Sequence, residues 1–345
     1  MVGEKLRMDK LLEVKNLEVN FETNCGEIKA VRNVSFNLEK GEILAIVGES
    51  GCGKTMLCRS IIRLLPKNGY ISNGEVLLAN KDLSKIKEDE MSKIRGKDIS
   101  MIFQDPMTSL NPTMSVGKQI AEVVIIHNKI NKSKAKQRAI ELMELVGIED
   151  AENRYNQYPY HFSGGMRQRI VIAISLACNP QILIADEPTT ALDVRVQRQI
   201  LDLLKSIQRK SGISIIFITH DFGVVAKIAD RVAVMYAGKI IEIGRKEEIF
   251  LNAAHPYTIG LLESLRAINK NNEYLPTIEG MPPNLLNPPQ GDAFAIRNKK
   301  PLVIDFLEEP PMFKISESHY AATWLLHPKA SKAREQIRIN EEQVN

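Results

Sequence analysis

An eight-residue glycine-rich stretch, GESGCGKT at residues 48–55, restricts the fold of this chain more than any other feature. It fits the pattern G-x-x-x-x-G-K-[ST], whose backbone N–H groups surround a phosphate. The apolar run Ile43–Val47 before it predicts a buried parallel strand, and residues 56–65 after it predict a helix ended by Pro66. A strand that leads through a glycine-rich turn into a helix is the context in which this pattern binds a nucleotide. We therefore expect an α/β nucleotide-binding fold built around this loop.

The loop residues are expected to contact the nucleotide or its metal ion, and they are Gly48, Glu49, Ser50, Gly51, Cys52, Gly53, Lys54 and Thr55. Lys54 is expected to reach the β- and γ-phosphates, and the Thr55 hydroxyl is expected to bind Mg²⁺. Backbone amides and a lysine lower the pKa of a nearby thiol. Cys52 is therefore predicted to be the most readily alkylated cysteine, with bound nucleotide protecting it; the alternative is that the loop hides the sulfur from solvent.

Composition is compatible with one large globular domain plus an appendage, or with two domains. The 44% hydrophobic fraction excludes disorder of the whole chain, and an evenly spread net charge of +4 argues against a nucleic-acid partner. No run approaches the roughly 20 apolar residues that cross a bilayer, and residues 1–5 lack the features of a signal peptide. The cysteines show no metal-ligand spacing. The sequence therefore predicts a cytoplasmic protein with free thiols.

Strand patterns on both sides of the loop predict an antiparallel β-layer beside the nucleotide site. Residues 11–21 and 30–38 alternate as strands around a turn at residues 24–26, and residues 74–79 predict another strand. A strand at residues 99–103 delivers Gln104 at its end. Residues 105–165 then change character, with helical patterns at 116–126 and 133–146, so we expect an inserted helical subdomain.

From residue 163 onward, helices and strands alternate in the rhythm of a parallel sheet with helices on both faces. The predicted strand 182–185 ends in Asp186 and Glu187. Carboxylates at the carboxyl end of a buried strand lie in the crevice where such sheets bind ligands. Asp186 is therefore expected to bind Mg²⁺, and Glu187 is expected to polarise the attacking water.

The composition shifts near residue 255, after which prolines concentrate. We therefore expect a nucleotide-binding domain at residues 1–254 and a C-terminal extension at residues 255–345 that begins with a helix.

The stretch FSGGMRQR at residues 162–169 resembles the signature of ABC ATPases. The other elements of that family follow in order: Gln104 matches the Q-loop, residues 191–193 match the D-loop and His220 matches the switch histidine. The resemblance implies that Gln104 helps to bind Mg²⁺, that Gln104 and His220 act in catalysis beside Glu187, and that the product-forming step is phosphoryl transfer from ATP to water.

The resemblance also implies that two such chains hold two ATP molecules head to tail between them. The residues expected to face the opposite chain's nucleotide come from the signature and the D-loop, and they are Ser163, Gly164, Gly165, Met166, Gln168 and Asp193. Phe21 matches the position where the family stacks an aromatic ring on adenine, although a lone aromatic residue at this place is equally compatible with a core role.

Residues 105–112, Met166 and the tail around residues 255–258 are similar to the ATPases of oligopeptide and dipeptide importers. The resemblance implies a second, related ATPase subunit, two transmembrane permease subunits, an extracytoplasmic peptide-binding protein and a place at the cytoplasmic face of the cell membrane. Nickel and oligosaccharide importers use similar ATPases and remain alternatives. A soluble ABC ATPase of DNA repair or translation is disfavoured by the single cassette, the helical subdomain and the absence of a basic stripe.

Many members of this subfamily carry four cysteines in the extension that hold an iron–sulfur cluster. The matching positions here are Asp292, Asn298, Asp305 and Thr323. Cluster iron needs cysteine or histidine ligands, so we expect no cluster and an extension held by packing and by hydrogen bonds among the replacements. Binding of a hard cation such as Ca²⁺ by these oxygens is the alternative, but the ligand set is weak.

Overall fold

The computed structural model describes residues 10–190, 192–269 and 277–330. Ala191 of the predicted D-loop and residues 331–345 of the extension lie outside these ranges. The strands, in chain order, are β1 Lys10–Thr23, β2 Gly26–Glu39, β3 Ile43–Val47, β4 Gly69–Leu78, β5 Lys81–Asp82, β6 Ile99–Ile102, β7 Ile182–Asp186, β8 Ser214–Thr219, β9 Arg231–Tyr236, β10 Lys239–Arg245, β11 Met312–Lys314 and β12 Tyr320–Ala322.

The α-helices, in chain order, are α1 Lys54–Ile61, α2 Glu88–Ile94, α3 Pro106–Ser109, α4 Val116–Asn128, α5 Lys132–Leu145, α6 Ala151–Arg154, α7 Gly164–Ser175, α8 Val194–Ser211, α9 Phe222–Ile228, α10 Lys246–Asn252 and α11 Pro256–Asn269. Short 3-10 helices lie at Pro159–His161, Ala295–Arg297, Val303–Phe306 and Trp324–Leu326. Helix α1 ends several residues earlier than predicted because Arg63 adopts a left-handed backbone conformation with φ of 52°. None of these helices is long and apolar enough to cross a bilayer.

The larger sheet has the strand order β11-β12-β10-β9-β3-β8-β7-β6. Strands β9, β3, β8, β7 and β6 are mutually parallel, which confirms the predicted parallel core. The sheet as a whole is nevertheless mixed, because β10 follows β9 through the two-residue turn Ala237-Gly238. Both turn residues have positive φ, and a turn this short joins only antiparallel strands.

The predicted antiparallel layer is confirmed as a separate sheet of order β2-β1-β4-β5. Strand β4 begins five residues before the predicted start, and its first residue, Gly69, pairs with Phe21 of β1. Helices α4 and α5 pack together in the expected helical subdomain, and they share one buried cluster with α7 and part of the large sheet.

Strand β3 explains why the loop that follows it is rigidly placed. All of its residues are buried, and successive side chains point to opposite faces of the sheet. Leu44 and Ile46 pack on the face of the antiparallel layer, whereas Ala45 and Val47 pack on the face covered by α9, α11 and the rest of the extension. A strand buried on both faces is anchored on both faces.

The extension is joined to the cassette by backbone hydrogen bonds. Strand β12 pairs with β10, which adds β12 and β11 to the edge of the large sheet. The Lys29 N–H of β2 also donates to the Leu285 carbonyl oxygen at 3.0 Å. The extension therefore contacts both sheets.

Candidate active site

Motifs that are distant in sequence meet at one edge of the large sheet. The phosphate loop follows β3, Asp186 ends β7, His220 follows β8, and Gln104 comes two residues after β6. Strands β3, β8, β7 and β6 are neighbours and run in the same direction. Their carboxyl ends therefore place the four groups side by side, in the crevice where open α/β sheets bind ligands.

Two glycines of the phosphate loop are required by close backbone approaches. A Cβ atom at Gly48 would lie 2.0 Å from the Met235 carbonyl oxygen, and one at Gly53 would lie 2.3 Å from that of Ala30. Gly53 also has φ of 104°, which only glycine adopts readily. The loop is therefore fitted between β2 and the β9–β10 hairpin.

Lys54 is buried and its ammonium group lies inside the loop. Its Nζ donates to the carbonyl oxygens of Gly48 and Glu49, each at 2.8 Å. These two bonds hold the positive charge of Lys54 against the backbone of the loop.

The Thr55 hydroxyl and the Asp186 carboxylate are adjacent, with Thr55 Oγ1 donating to Asp186 Oδ1 at 3.1 Å. Burial raises the pKa of Asp186, and the neighbouring Glu187 adds to that, while the Thr55 hydrogen bond opposes it. A hydroxyl and a carboxylate oxygen at this distance are the ligand types that Mg²⁺ prefers. The two side chains therefore fit a magnesium site.

Glu187 lies at the centre of a hydrogen-bonded group. Its carboxylate contacts His220 Nδ1 at 3.1 Å and accepts bonds from Gln104 Nε2 at 3.1 Å and Thr190 Oγ1 at 3.0 Å. Burial alone would raise the pKa of Glu187, but the hydrogen bonds from His220 and Thr190 hold that pKa below its ordinary value. Glu187 also has φ of 46°, a strained conformation for this residue and one that concentrates at functional sites. The predicted catalytic residues are thus brought together.

The signature lies at the N-terminus of α7 and is exposed. Ser163 is the N-cap, and its Oγ accepts the Met166 N–H at 3.4 Å. Gly164 is also exposed and Gly165 is half-buried. Gln168, one turn further on, is buried, and its Nε2 has no hydrogen-bond partner among the residues described. The first turn of α7 therefore presents serine and glycine to the surface.

Asp193 lies beside the signature. It caps α8 by accepting the Val196 N–H at 2.9 Å. A Cβ atom at Gly165 would approach Val196 within 2.5 Å, so α7 and α8 are in close contact here. The predicted D-loop residue and the signature thus occupy one exposed surface.

Comparison with known proteins agrees with this arrangement. The sequence model of the ABC transporter family matches residues 31–190, and the model of the oligopeptide/dipeptide transporter C-terminal region matches residues 241–300. The oligopeptide transport ATP-binding protein OppD of Bacillus subtilis is 59% identical over 95% of this chain and 92% of that protein. This chain belongs to the ABC transporter ATP-binding family. The dipeptide transport ATP-binding protein DppD of Lactococcus lactis is likewise 59% identical, over 94% of this chain and 93% of its own length.

Solved structures identify the fold as that of an ABC ATPase. A dimeric ATP-binding cassette in a post-hydrolysis state with ADP and phosphate matches with a TM-score of 0.62 and 29% identity, covering 68% of this chain and 98% of that one. CbiO1 of Clostridium perfringens, part of an ABC transporter complex, matches with a TM-score of 0.61 and 28% identity, covering 76% of this chain and 97% of its own. The expected family and fold are confirmed.

Phe21 of this ABC ATPase lies in β1 and is half-buried. Its ring covers Gly69 of β4, where a Cβ atom would come within 2.5 Å of the ring. The ring thus packs on its own sheet at the strand end, and its stacking on adenine stays a prediction.

The expected lowering of the Cys52 pKa is wrong. Its side chain is buried, and burial raises the pKa of the thiol although Lys54 lies near and opposes the shift. The loop that was expected to activate the sulfur also removes it from water, and the desolvation of a thiolate outweighs the attraction of the ammonium group.

The four residues expected from the family resemblance to replace cysteines make local hydrogen bonds. Each side chain accepts a backbone N–H two or three residues away, in the pairs Asp292–Phe294, Asn298–Lys300, Asp305–Leu302 and Thr323–Leu325. The Asp292 N–H also donates to the Asp305 carbonyl oxygen at 2.7 Å. Among the described residues no group of three or more His, Cys, Asp or Glu side chains could hold a metal ion. The replacements therefore stabilise turns of the extension more than they bond to one another.

The sequence reasoning missed two residues that contact the phosphate loop, Tyr257 and Arg297 of the extension. Both bond to Glu49. A signal was available, because an acidic side chain inside an anion-binding loop needs a cationic partner to offset its charge.

Proposed function

We propose that this ABC ATPase hydrolyses magnesium-bound ATP to energise the import of oligopeptides or dipeptides. The observation that carries the proposal is the meeting of Lys54, Asp186, Glu187, Gln104 and His220 at one edge of the sheet. The peptide cargo rests on the family of the C-terminal region and on relatives named for oligopeptide and dipeptide transport.

The chemistry follows from charge and position. Lys54 leaves the loop carbonyls for the β- and γ-phosphates, while the loop amides and the positive end of α1 attract the same anions. Thr55, Asp186 and Gln104 would hold Mg²⁺, which would neutralise charge on the phosphates. Little covalent work remains for the protein, so catalysis is mainly electrostatic stabilisation and positioning.

Glu187 orients the attacking water, because its carboxylate remains ionised at neutral pH and is fixed by hydrogen bonds from Thr190, Gln104 and His220. His220, whose side chain is 56% exposed, is available to contact the γ-phosphate. Phe21 stacks on the adenine base.

The exposed signature argues for a two-chain site. The N-terminus of α7 is a second anion-binding position, with Ser163, Gly164, Gly165, Met166 and Gln168 in its first turns. We propose that these residues and Asp193 complete the nucleotide site of a second, related ATPase chain. The assembly would contain two permease subunits and an extracytoplasmic peptide-binding protein, with this chain at the cytoplasmic face of the membrane.

The test is purification of the assembled transporter and assay of ATP hydrolysis in vesicles. We expect hydrolysis to rise when the external binding protein is loaded with peptide, and the Glu187→Gln assembly to show no such rise. Stimulation by a nickel-loaded or oligosaccharide-loaded binding protein, with none by peptide, would contradict the proposed cargo.

We also expect the purified chain to lack an iron–sulfur cluster, because no thiolate remains at Asp292, Asn298, Asp305 or Thr323. Elemental analysis and visible absorption of anaerobically purified protein check this. Stoichiometric iron with a charge-transfer band would contradict it, and stoichiometric calcium would support the hard-cation alternative.

A further inference from the structure

The second residue of the phosphate loop, Glu49, is bonded at both its side chain and its backbone by the C-terminal extension. Arg297 makes a two-pronged ion pair with the Glu49 carboxylate, with Nη1–Oε2 at 2.8 Å and Nη2–Oε1 at 3.0 Å. The Glu49 N–H donates to the phenolic oxygen of Tyr257 at 2.9 Å. Tyr257 and Arg297 lie 208 and 248 residues from Glu49, so these contacts exist only because the extension folds back onto the loop.

Arg297 is fixed more firmly than a single ion pair requires. Its Nε donates to the Glu279 carbonyl oxygen, Nη2 donates also to that of Ile278, and Nη1 donates also to the Tyr236 hydroxyl. With the two bonds to Glu49, the guanidinium makes as many hydrogen bonds as it has N–H groups. Its side chain is 5% exposed. A planar fork held in this way sets both the position and the orientation of the carboxylate.

Tyr257 is fixed by packing. It is fully buried, and its ring lies 4.6 Å from the ring of Tyr236 and 5.5 Å from that of Phe294, measured between centroids. Burial raises the pKa of Tyr257 far above its ordinary value, so the group remains a neutral phenol. The Glu49 N–H therefore has a permanent acceptor.

The contacts on Glu49 reach the catalytic lysine through one residue. Lys54 Nζ donates to the carbonyl oxygen of Glu49 itself, at 2.8 Å. The backbone of Glu49 therefore has its N–H bonded to the extension and its carbonyl bonded to Lys54. A change in its orientation would move the acceptor that holds the ammonium group.

We propose that the extension is a working part of the nucleotide site, in which Arg297 and Tyr257 are positioning residues that fix Glu49 in the conformation that receives ATP. Arg297 also neutralises a carboxylate that would otherwise repel the phosphates. This inference rests on the proposed function, because it assumes that the loop at residues 48–55 binds magnesium-bound ATP.

The experiment measures the affinity of the full chain for magnesium-bound ATP, together with KM and kcat in the assembled transporter. For Arg297→Gln we expect a loss of affinity of about tenfold, and a larger rise in KM than fall in kcat. Arg297→Lys keeps the charge but not the fork, so a smaller loss is expected. Tyr257→Phe removes only the acceptor oxygen, and we expect it to weaken binding by a few-fold.

Glu309→Gln is the matched control. Glu309 of the extension forms ion pairs with Arg32 and Lys239 of the cassette. Its substitution therefore removes ion pairs between the extension and the cassette without changing the contacts of Glu49. We expect Glu309→Gln to keep the ATP affinity of the wild type, and the melting temperature of each variant is recorded beside it.

Three outcomes would overturn the inference: wild-type affinity in Arg297→Gln, an equal loss in Glu309→Gln, or a loss that follows the melting temperature across all variants. If Arg297→Gln does not fold, Arg297→Lys and Tyr257→Phe decide by the same criteria. A wild-type chain that binds no ATP would instead contradict the proposed function.

Discussion

This ABC ATPase has two helix N-termini with candidate roles in nucleotide binding, and they differ in how much protein surrounds them. The N-terminus of α1 is enclosed: Lys54, Asp186 and Cys52 are buried around it, and the extension bonds to Glu49. The N-terminus of α7 is open, with Ser163 and Gly164 exposed and Asp193 exposed beside them. Each can attract an anion through its free N–H groups. Among the described residues, the lysine, the carboxylates and the histidine to which we assign roles in the reaction lie at the first.

This difference indicates a division of labour. In the function proposed above, the enclosed end binds and activates this chain's nucleotide, whereas the open end acts on a nucleotide that a second chain carries.

The largest effect is expected at the enclosed end from Glu187→Gln. The amide cannot orient water as a carboxylate does, so kcat should fall by about 100-fold or more, while ATP affinity is kept. Lys54→Ala is the control, because it should weaken both binding and turnover. Steady-state hydrolysis and equilibrium ATP binding check this. Turnover of Glu187→Gln near that of the wild type would show that another group is the base.

At the open end, Ser163→Ala should lower hydrolysis by the two-chain assembly between about 10- and 100-fold without changing the ATP affinity of this chain alone. The substitution removes a hydroxyl from the surface proposed to face the partner's nucleotide. Asn131→Ala is the matched control, since Asn131 caps α5 by accepting the Lys134 N–H and lies in the same helical subdomain. If both substitutions lower hydrolysis equally, helix capping explains the loss and the contrast between the two ends fails.

Two buried ionisable groups of the extension, His255 and Asp292, should make the stability of the protein depend on pH. His255 is buried, its Nδ1 accepts the Tyr257 N–H, and its Nε2 lies 4.0 Å from Asp292 Oδ2. Burial lowers the pKa of His255 to about 4, although Glu242 opposes the shift. Burial, with smaller contributions from Asp305 and Glu309, raises the pKa of Asp292 to about 6.

The two groups bias the free energy of unfolding in opposite directions between pH 4 and pH 6. His255 binds fewer protons in the native state than in the unfolded state, so its contribution to the free energy of unfolding rises with pH. Asp292 binds more protons in the native state than in the unfolded state, so its contribution falls with pH. In the wild type the two contributions largely cancel.

Replacing either residue alone should reveal how the other one makes the free energy of unfolding depend on pH. In Asp292→Asn the stability should rise by on the order of 2 kcal/mol as the pH goes from about 4 to 6, and in His255→Gln it should fall by a similar amount. Urea unfolding at several pH values measures this. Parallel pH profiles for the wild type and both variants would show that the two groups do not titrate as described.

The sequence predicted how the strand ends meet at the enclosed end because that information is local. The loop pattern, the apolar strands Ile43–Val47 and Ile182–Asp186 and the acidic pair at the end of the second strand each occupy a few consecutive residues. Parallel strands bring their carboxyl ends together whatever the rest of the chain does, so Lys54, Asp186 and Glu187 could be placed at one edge without a structure.

Contacts made over long sequence distances could not be predicted in this way. Arg297 reaches Glu49 because β12 pairs with β10 and the extension is folded back against the cassette. The strands β11 and β12 have three residues each, too short for a periodic pattern to indicate. Burial of Cys52 is a tertiary property as well, and this is why reasoning from its neighbours alone gave the wrong sign for its pKa.

The smallest effect expected concerns that thiol and tests how enclosed the loop is. Cys52 and Cys58 are buried and burial raises the pKa of both, whereas Cys25 is exposed in the turn between β1 and β2. The thiolate is the reactive form, so iodoacetamide should label Cys25 first and Cys52 several-fold more slowly.

Mass spectrometry of timed samples measures each rate, and protein unfolded in urea, where the cysteines should react alike, is the control. Magnesium-bound ATP should slow Cys52 further and leave Cys25 unchanged, because only Cys52 lies in the loop. If Cys52 is labelled as fast as Cys25 in the folded chain, the loop is open to solvent, and the contrast between an enclosed and an open helix end would be lost.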